Sequence, residues 1–557
     1  MKTLKSHVTA FHNEVTGSSF LVVIERPDGV TYRILVDKGY FQEPSYRWLN
    51  YVDDLNPENV DAIIVTHTHI DHIGLIPKLV RQGYRNPIYM TEISKELIGS
   101  LWYDSADQQE ENASYMRYKY PNEAHKFNSL YYGEDVANAL KLCVDVAYYK
   151  TIEILPGVKL TFWENAHILG ASMVLLQCSY VGMKPLNFLF TGDFKFENSF
   201  TRVPMIPKWF RNMELIVFCE STYGTTRRDE IKTCFESNIM EGFERNQDIL
   251  IGAFAQDGMQ RVLHDLRIWQ DAGRIPDNYE ICLDGPMGIC FNDMYRNILK
   301  WYNEPKMDFM PKGIRYIDSK SRTSIFSGEK RKIVITTSGM LSNGPARTYV
   351  PMFLQRENAL IHLVGYAAEE TLARKLLEAK REDVVEYGLA TYPKKCVIKT
   401  TRERTSHATE DELLKLINLF KNIKFLGINH GNTDVKYEFY EDVLLECPNV
   451  EQAGILDREH MYSFYRVGLK TDSDTRIVVK ARSAGLINDS KLVFGREADA
   501  DEIAERQKKA RQQNAKQKEK RKEKMERKGK KNRQSKPKRR SKSVNSNRSR
   551  KRNKKRR

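Results

Sequence analysis

The stretch THTHIDHIG, residues 66–74, places three histidines and one aspartate within six positions. His67, His69 and His72 cannot all be buried with satisfied ring nitrogens in so short a segment unless they share a partner. A metal ion is such a partner, because imidazole and carboxylate groups are common protein ligands of zinc. A single histidine is more often an ordinary core or surface residue, but this H-x-H-x-D-H pattern predicts a metal site.

The histidine stretch is predicted to lie between a strand and a helix. Residues 61–66, DAIIVT, are β-branched and apolar, as in a buried strand, whereas residues 71–83, DHIGLIPKLVRQG, have apolar side chains at helical spacing. The extended part sends alternate side chains to one side, while the aspartate and the last histidine open the helix. The ligands can therefore divide between two ions.

Further histidines and carboxylates follow predicted strands along the chain. Asp37 follows TYRILV, which is predicted to form a hairpin with FLVVIE around the turn PDG. His167, Asp193 and His430 each follow another apolar segment. Functional groups collect at strand ends in layered α/β proteins, so we expect these side chains to join the first cluster. The five imidazoles, together with the carboxylates of Asp71 and Asp193, match a dinuclear zinc site, and two such ions support hydrolysis by in-line phosphoryl displacement.

Changes in composition predict two α/β domains, one inserted into the other. The insert contains the short strands DILIGAF, KIVITTSGM and ALIHLVGY, and after it a helix from about 409 to 421 and a strand lead to His430. The predicted segments are a first domain over 1–221, the inserted domain over 222–395, the completing part of the first domain over 396–450, a small C-terminal extension over 451–495 and a disordered basic tail over 496–557.

The positive charge of the chain is concentrated in the tail. The 557 residues carry a net charge of +16, but residues 506–557 hold 28 Lys and Arg against three Glu, so the remainder is net −9. A flexible basic segment gains affinity for phosphate backbones by counterion release. We therefore expect the tail to bind RNA or ribonucleoprotein; the alternative is a solubilising or targeting role, since KPKRR has the composition of a nuclear signal.

Cysteine usage and hydropathy bear on location. The eight cysteines are scattered without a C-x-x-C pair, which indicates a reducing compartment. The longest apolar runs fall short of the roughly 20 residues that a membrane span needs, and the first residues lack the apolar core of a signal peptide. We expect a cytoplasmic protein with no membrane partner, or a nuclear one if the tail is a targeting signal.

The motifs also carry a family resemblance. The order ILVDKG, THTHIDHIG, AHILGAS and LFTGDFK resembles the metallo-β-lactamase superfamily, and EVTGSSFL and SLWYDSADQQEENASYMR are similar to its β-CASP branch. FCESTYG, TSHAT and INHG resemble the extra motifs of that branch, and TTSGMLSNGPA and LVGYAAEETLARKLL resemble parts of its inserted domain. The resemblance covers about residues 5–445. It implies an α/β fold, an αββα metallo-β-lactamase sandwich with an inserted β-CASP α/β domain, similar to RNase J and to the endonuclease subunit of the mRNA 3′-end cleavage machinery.

The resemblance assigns roles to individual residues. It implies two Zn²⁺ ions and the following ligand sets: His67, His69 and His167 for one ion, Asp71, His72 and His430 for the other, and Asp193 as the bridge. It implies catalytic roles for Asp71, for Asp37 behind a ligand imidazole, for His407 as the acid that protonates the leaving oxygen, and for Glu220 as its partner. Two positions depart from the family pattern, namely Lys38 after the first aspartate and Asn432 in place of an acidic residue. Without the resemblance, a helix cap is the simpler role for Glu220, and a position at a helix N-terminus is the simpler one for His407.

The predicted function is a zinc-dependent ribonuclease acting on single-stranded RNA, as an endonuclease or a 5′ exonuclease, with a metal-bridged hydroxide as the nucleophile. His430 in the last motif resembles RNA-processing rather than DNA-processing members. The alternatives are a DNA nuclease of the same fold and a non-catalytic RNA-binding scaffold, and the resemblance is compatible with a homodimer. Hydroxyl and backbone N–H groups bind phosphate, so the candidate RNA contacts are Thr337, Ser338 and Gly339, although the same sequence is an ordinary turn. Three tyrosines could stack on bases or simply belong to a helix, Tyr115, Tyr118 and Tyr120.

Overall fold

The computed structural model describes residues 3–12, 14–231, 234–302, 308–339, 341, 344–364, 372–387, 390–401, 403–458, 460–467, 480–484 and 494–497. The strands of these residues are β1 (Thr3–Ala10), β2 (Phe20–Glu25), β3 (Thr31–Val36), β4 (Ala62–Ile64), β5 (Ile88–Thr91), β6 (Cys143–Val146), β7 (Thr151–Leu155), β8 (Val158–Glu164), β9 (Ser172–Cys178), β10 (Leu186–Phe190), β11 (Glu214–Cys219), β12 (Asp248–Ala253), β13 (Tyr279–Asp284), β14 (Arg315–Tyr316), β15 (Arg331–Thr337), β16 (Ala359–Val364), β17 (Val384–Tyr387), β18 (Ala390–Pro393), β19 (Val397–Thr401), β20 (Asn422–Ile428), β21 (Ala453–Ile455), β22 (His460–Val467), β23 (Lys480–Ala484) and β24 (Phe494–Glu497). The α-helices are α1 (Ile70–Ile73), α2 (Ile76–Arg81), α3 (Glu92–Lys119), α4 (Gly133–Leu142), α5 (Lys208–Arg211), α6 (Phe235–Glu244), α7 (Gly258–Asp271), α8 (Pro286–Tyr302), α9 (Ala346–Leu354), α10 (Leu372–Glu378), α11 (Glu410–Leu419) and α12 (Thr433–Glu446).

Two sheets pack face to face, and we call them the sandwich. One has the order β24-β23-β22-β1-β2-β3-β4-β5-β6 and the other β21-β20-β11-β10-β9-β8-β7. Apolar side chains from both sheets, such as Val22 and Phe188, form one buried core between them. Helices α2, α3 and α4 cover the outer face of the first sheet, and α5, α11 and α12 cover the outer face of the second. The layer order is therefore αββα, as predicted.

The elements around the histidine stretch differ in length from the prediction. The hairpin is confirmed, since β2 and β3 pair antiparallel with Glu25 opposite Thr31. The strand predicted over 61–66 is shorter, and the single predicted helix over 71–83 is divided into α1 and α2. Pro77, in the first turn of α2, has no backbone N–H and favours a helix start, so the helix begins anew there.

The carboxyl ends of several strands meet at one edge of the sandwich. β3 and β4 are parallel in the first sheet, and β10, β11 and β20 are parallel in the second. β8 runs in the same direction as β10, because each is antiparallel to β9. Loops that follow these strands are therefore neighbours, and every predicted metal ligand lies on one of them.

A third sheet lies between β11 and β20 in the chain, and we call residues 235–401 the insert. Its order is β14-β13-β15-β12-β16-β19, all parallel, with α6, α7 and α8 on one face and α9 and α10 on the other. β19 belongs to this sheet, so the sheet continues past the boundary predicted at 395/396. The prediction ended the insert too early because β19 is half-buried and polar, and its sequence gives no sign of which sheet it joins.

The segment predicted as a small C-terminal extension over 451–495 completes the sandwich where it is described. β21 pairs with β20, and β22 pairs with the outer edge of β1 from Thr3 to Thr9. Phe464 of β22 is buried in the core between the two sheets. The basic tail lies outside the described residues from 498 onward. Among the described helices, none has the length and apolar character needed to cross a membrane.

Gly39 provides a test of how tightly the loop after β3 packs. A Cβ atom built at this position would lie 1.6 Å from the carbonyl oxygen of Asp71. We expect Gly39→Ala to lower the free energy of unfolding by about 1–3 kcal/mol or more, because backbone must move to admit the methyl group. Urea denaturation measures this change.

The matched control is Gly99→Ala in α3, where the nearest atom is a Leu140 methyl at 3.5 Å. This substitution should be neutral or stabilising by up to about 1 kcal/mol. Equal midpoints for Gly39→Ala and wild type would contradict the close packing.

Candidate metal centre

Three imidazoles form the first half of the site. The Nδ1 atom of His69 lies 3.2 Å from Nε2 of His67 and 3.0 Å from Nε2 of His167. The nearest carboxylate oxygen is Oδ2 of Asp193, which lies 3.5 Å from His67 and 3.6 Å from His167. These four ligand atoms converge on one point, so this half of the site can hold one cation.

The second half of the site uses the other oxygen of the same aspartate. Oδ1 of Asp193 lies 3.3 Å from Nε2 of His72 and 3.4 Å from Nε2 of His430, and these two nitrogens are 3.1 Å apart. Oδ2 of Asp71 is 3.6 Å from the His430 nitrogen. Asp193 therefore stands between the two sets, with one oxygen directed toward each.

The distances fit metal ions better than hydrogen bonds. With metal–ligand bonds of about 2.0–2.1 Å, the ligand atoms of a tetrahedral site lie about 3.3 Å apart. Most of the separations in the cluster are within a few tenths of an ångström of that value. Oδ1 of Asp193 is buried and has no hydrogen-bond partner among the described residues. Because a buried charged oxygen is costly without a partner, the residues present suit divalent cations.

Each of the four imidazoles that present Nε2 is oriented through its Nδ1–H group. The partners of these groups are the Oδ2 of Asp37 for His72 at 2.8 Å, the carbonyl of Ser406 for His167 at 2.8 Å, the Oγ1 of Thr222 for His430 at 3.1 Å and the Oγ1 of Thr66 for His67 at 3.1 Å. Thr66 also donates to Asp37 through its amide and its hydroxyl. Such bonds fix the tautomer and leave Nε2 free to bind a metal.

The protonation states of the first half also favour metal binding. Burial lowers the pKa of His69 to about 4 and lowers the pKa values of His67 and His167 well below the ordinary range. These imidazoles are therefore neutral at physiological pH, which is the form that binds metals. Although burial opposes charge on Asp193, the surrounding imidazoles, His430 and His72 foremost, hold the pKa of its carboxyl well below its usual value.

His407 and Glu220 form a pair beside the shared aspartate. Nδ1–H of His407 donates to Oε2 of Glu220 at 3.0 Å, while its Nε2 lies 3.9 Å from Oδ2 of Asp193. The other Glu220 oxygen accepts a bond from the backbone N–H of Phe194 at 2.5 Å. Burial disfavours the charged ring, but the carboxylates of Glu220 and Asp193 outweigh it and raise the pKa of His407 to about 9. The Glu220 carboxylate beside its Nδ1 atom therefore favours the protonated form of His407.

The site opens to solvent on one side. The side chains of Asp71 and His407 are 17% and 18% exposed, and His69 is partly exposed. The remaining ligands are almost fully buried, namely His67, His72, His167, Asp193 and His430. The insert contacts the same stretch of chain, because Nε2 of Gln256 donates to Oγ1 of Thr68, between two ligands, at 2.7 Å.

Lys38 and Asn432, the two residues that depart from the family pattern, both lie outside the metal cluster. Lys38 forms a buried ion pair with Asp54 at 2.9 Å and does not enter the metal cluster. Asn432 precedes α12 without capping it through its side chain. The carboxylate of Glu14 instead accepts bonds from the amide and hydroxyl of Thr433 at 2.9 and 2.5 Å. An acidic group at this helix start is thus supplied from the N-terminal segment.

The candidate RNA contacts lie in the insert, whereas the metal ligands lie in the sandwich. Thr337 ends β15, and Ser338 and Gly339 follow it at the carboxyl edge of the insert sheet. Ser338 has a φ of 96°, which is uncommon for a residue with a side chain. The tyrosines at the end of α3 are exposed, and Tyr118 at 85% is the most accessible of them. Neither position establishes an RNA contact, so both remain predictions.

The structure brings together all seven predicted ligands, together with Asp37, His407 and Glu220. Four contributors were missed at the level of sequence: Thr66, Thr222, Ser406 and Gln256. The first three lie inside or next to quoted motifs, so their positions were available. Ser406 acts through its carbonyl and Gln256 reaches the site from the insert, and no sequence signal indicates either contact.

Comparisons with known proteins agree with this architecture. Residues 13–137 match the model of the metallo-beta-lactamase superfamily, and residues 259–376 match that of the Beta-Casp domain. The second match falls within the insert. The predicted fold class is therefore confirmed.

Curated relatives carry the name transcription termination factor FttA. The protein from Methanococcus maripaludis is 31% identical over 58% of this chain and 50% of its own length, and that from Methanocaldococcus jannaschii is 27% identical over 72% and 62%. The chain thus matches about half to three fifths of the length of these relatives. The metallo-beta-lactamase fold protein YhfI from Bacillus subtilis is 17% identical over 41% of this chain and 75% of that chain, with a TM-score of 0.23, too low to support an argument.

Removal of bound divalent metal should destabilise the fold. A ligand that binds only the folded chain adds about 4 kcal/mol at a concentration of 1,000 times its Kd. We expect chelation to lower the thermal midpoint of the wild type. His69→Ala loses one ligand and, being partly exposed, little packing, so it should contain less metal and respond less to chelator. His264→Ala in α7 is the matched control. Equal metal content and equal chelator response in His69→Ala and the wild type would contradict the assignment.

Proposed function

We propose that this chain, which contains a metallo-β-lactamase domain and an inserted β-CASP domain, is a zinc-dependent ribonuclease that hydrolyses phosphodiester bonds of single-stranded RNA. The observation that carries the proposal is the His407–Glu220 pair beside a carboxylate shared by two sets of metal ligands. A metal-binding role alone has no need of a protonated imidazole at the open side of the cluster. A hydrolase that must protonate a leaving group does need one.

Zinc is the proposed cation. The donor set is imidazole and carboxylate, which suits zinc, and each half of the site offers three ligands and one oxygen of Asp193. Two zinc ions, when bound, activate a water and stabilise the attacking and leaving oxygens of a phosphoryl displacement. Asp37 accepts the Nδ1–H of His72 and keeps this ring oriented for the role. Thr66 holds the Asp37 carboxylate in place, because its amide and its hydroxyl both donate to it.

His407 is the proposed general acid. Its Nδ1–H is held by Glu220, so the proton on Nε2 points toward Asp193 and the opening of the site. A leaving oxygen placed there would receive that proton. The bond from the Phe194 amide keeps the Glu220 carboxylate in position, and Nζ of Lys195 donates to the His407 carbonyl at 3.1 Å and holds the backbone.

Single-stranded RNA is favoured as the substrate by three observations. The insert is fastened directly to the stretch that carries the metal ligands, and such an additional domain can help to hold a strand, whereas a small ester has no need of it. The segment 506–557 carries 28 basic residues and is proposed to add affinity for RNA or ribonucleoprotein. The relatives are named as transcription termination factors, and we extend this to the chain by proposing a transcript as the substrate.

A cleavage assay tests the activity and separates the alternatives. The zinc-loaded protein is incubated with one RNA labelled separately at its two ends and with a DNA strand of matched sequence. We expect RNA cleavage that chelator abolishes and zinc restores, and a rate about 10²–10⁴ lower for His407→Ala, because the acid is lost. Internal fragments indicate an endonuclease, and mononucleotides from one end indicate an exonuclease.

The other outcomes of this assay each oppose the proposal. Cleavage that persists after the metal is stripped would refute the metal-dependent chemistry. Equal cleavage of DNA would favour a DNA nuclease, and RNA binding without cleavage would favour a scaffold.

The pH dependence should report the His407–Glu220 pair. The Glu220 carboxylate raises the pKa of His407, so Glu220→Gln should lower it. An acid must be protonated to act, and activity is therefore lost as pH rises through its pKa. We expect the alkaline limb of the pH–rate profile to move to lower pH in Glu220→Gln, with Glu236→Gln, an exposed carboxylate of α6, as the control. An unchanged alkaline limb would show that another group donates the proton.

A further inference from the structure

Phe254 is the first residue after β12, and its ring is exposed at the carboxyl edge of the insert sheet. All six residues of β12 are buried, whereas Phe254 is 44% exposed. In open parallel sheets, ligands bind at the carboxyl ends of the strands. The exposed ring therefore lies at the edge of the insert where a ligand is expected.

The ring of Phe254 rests on Gly339. A Cβ built at Gly339 would lie 2.9 Å from two carbons of the ring, so glycine is the residue that permits this contact. On its other side, the Cβ of Phe254 is 3.3 Å from a Cβ built at Gly258, the start of α7. The backbone is held as well, because the amide of Met259 donates to the Phe254 carbonyl at 2.9 Å. The ring is thus supported by backbone while much of it stays accessible.

The loop that carries Phe254 is fastened to two of the metal-ligand loops. Gln256 donates to Thr68 at 2.7 Å, between two ligand histidines. Nδ2 of Asn198 lies 3.2 Å from the carboxylate of Asp257 and 3.1 Å from the carbonyl of His167. Asp257 is buried and has a φ of 63°, a conformation that needs such support. The loop therefore has a fixed position relative to the metal ligands.

Phe254 also lies on the same loop as a residue that contacts the metal-ligand stretch. Phe254 and Gln256 are two residues apart, so their Cα atoms are separated by at most about 7 Å. Gln256 itself touches the loop between the ligands. A strand whose scissile phosphate lies at the metal ligands, and which continues along the carboxyl edge of the insert sheet, would pass the ring.

We propose that Phe254 is a stacking platform for one base of the RNA strand, a positioning residue that sets the distance between that base and the scissile phosphate. This inference rests on the proposed ribonuclease function. The side chain has no polar atom, so its partner is the face of a base and not a phosphate. Every base has such a face, so the contact tolerates any sequence, and loss of one stack weakens binding by roughly tenfold or more.

The test uses a double-mutant cycle between protein and RNA. In zinc-loaded His407→Ala protein, which should bind RNA but turn it over slowly, binding is measured by fluorescence anisotropy for a series of labelled RNAs with an abasic nucleotide at each successive position. We expect one position at which loss of the base weakens binding about tenfold. Adding Phe254→Ala should weaken binding of the intact RNA by a similar factor and remove the penalty at that position. Phe254→Tyr should behave as Phe254.

Trp301→Ala supplies the control, because Trp301 is an exposed aromatic at the far end of α8. It should leave the abasic penalties unchanged. If the loss of binding at every abasic position is the same with and without Phe254→Ala, the stacking role is refuted. RNA cleavage by the wild type would not be affected by that result. If Phe254 is coupled to one base but the wild-type protein cleaves no RNA, the stacking role of Phe254 is supported and the proposed ribonuclease activity is refuted.

Discussion

The buried carboxylate of Asp193 is the constraint on which the site depends. Its two oxygens face separate groups of imidazoles, and one oxygen has no hydrogen-bond partner among the described residues. Taking such a charge out of water is unfavourable by several kcal/mol unless positive charge compensates it. A divalent cation bound on either side would supply that compensation. The sandwich places Asp193 after the end of β10, where the loops that follow five other strands converge. The same fold therefore brings the imidazoles to the buried carboxylate.

Around this carboxylate, orientation is provided by groups that do not bind metal. Asp37, Thr222 and the Ser406 carbonyl each accept an N–H from a ligand ring, and they come from the sandwich and from the segment that returns from the insert. Gln256 and Asp257 connect the insert to the same loops. The inserted domain is thereby fastened to the loops that carry the metal ligands, which fixes the position of its carboxyl edge relative to them.

The sequence was sufficient to predict which residues cluster at the candidate site, but not where the insert ends. THTHIDHIG and the residues after β8, β10 and β20 could be predicted because strand ends and ligand chemistry both leave local patterns. The extent of the insert could not, since β19 joins the insert sheet through partners far away in the chain. The break between α1 and α2 was visible in principle, because Pro77 marks it. Contacts such as Gln256 with Thr68 join residues 188 positions apart, and no local pattern encodes them.

The pairing of β1 with β22 affects how the chain folds during synthesis. His7 and Ser463 are 456 residues apart and their side chains bond directly, with the two strands paired from Thr3 to Thr9. At roughly 5–20 residues per second, β1 waits about 20–90 s for its partner to be made. During that time, its outer edge presents unpaired N–H and C=O groups, which can form hydrogen bonds with strands of other chains. The nascent protein therefore has a long aggregation-prone interval, which ends only when nearly all of the described chain has been translated.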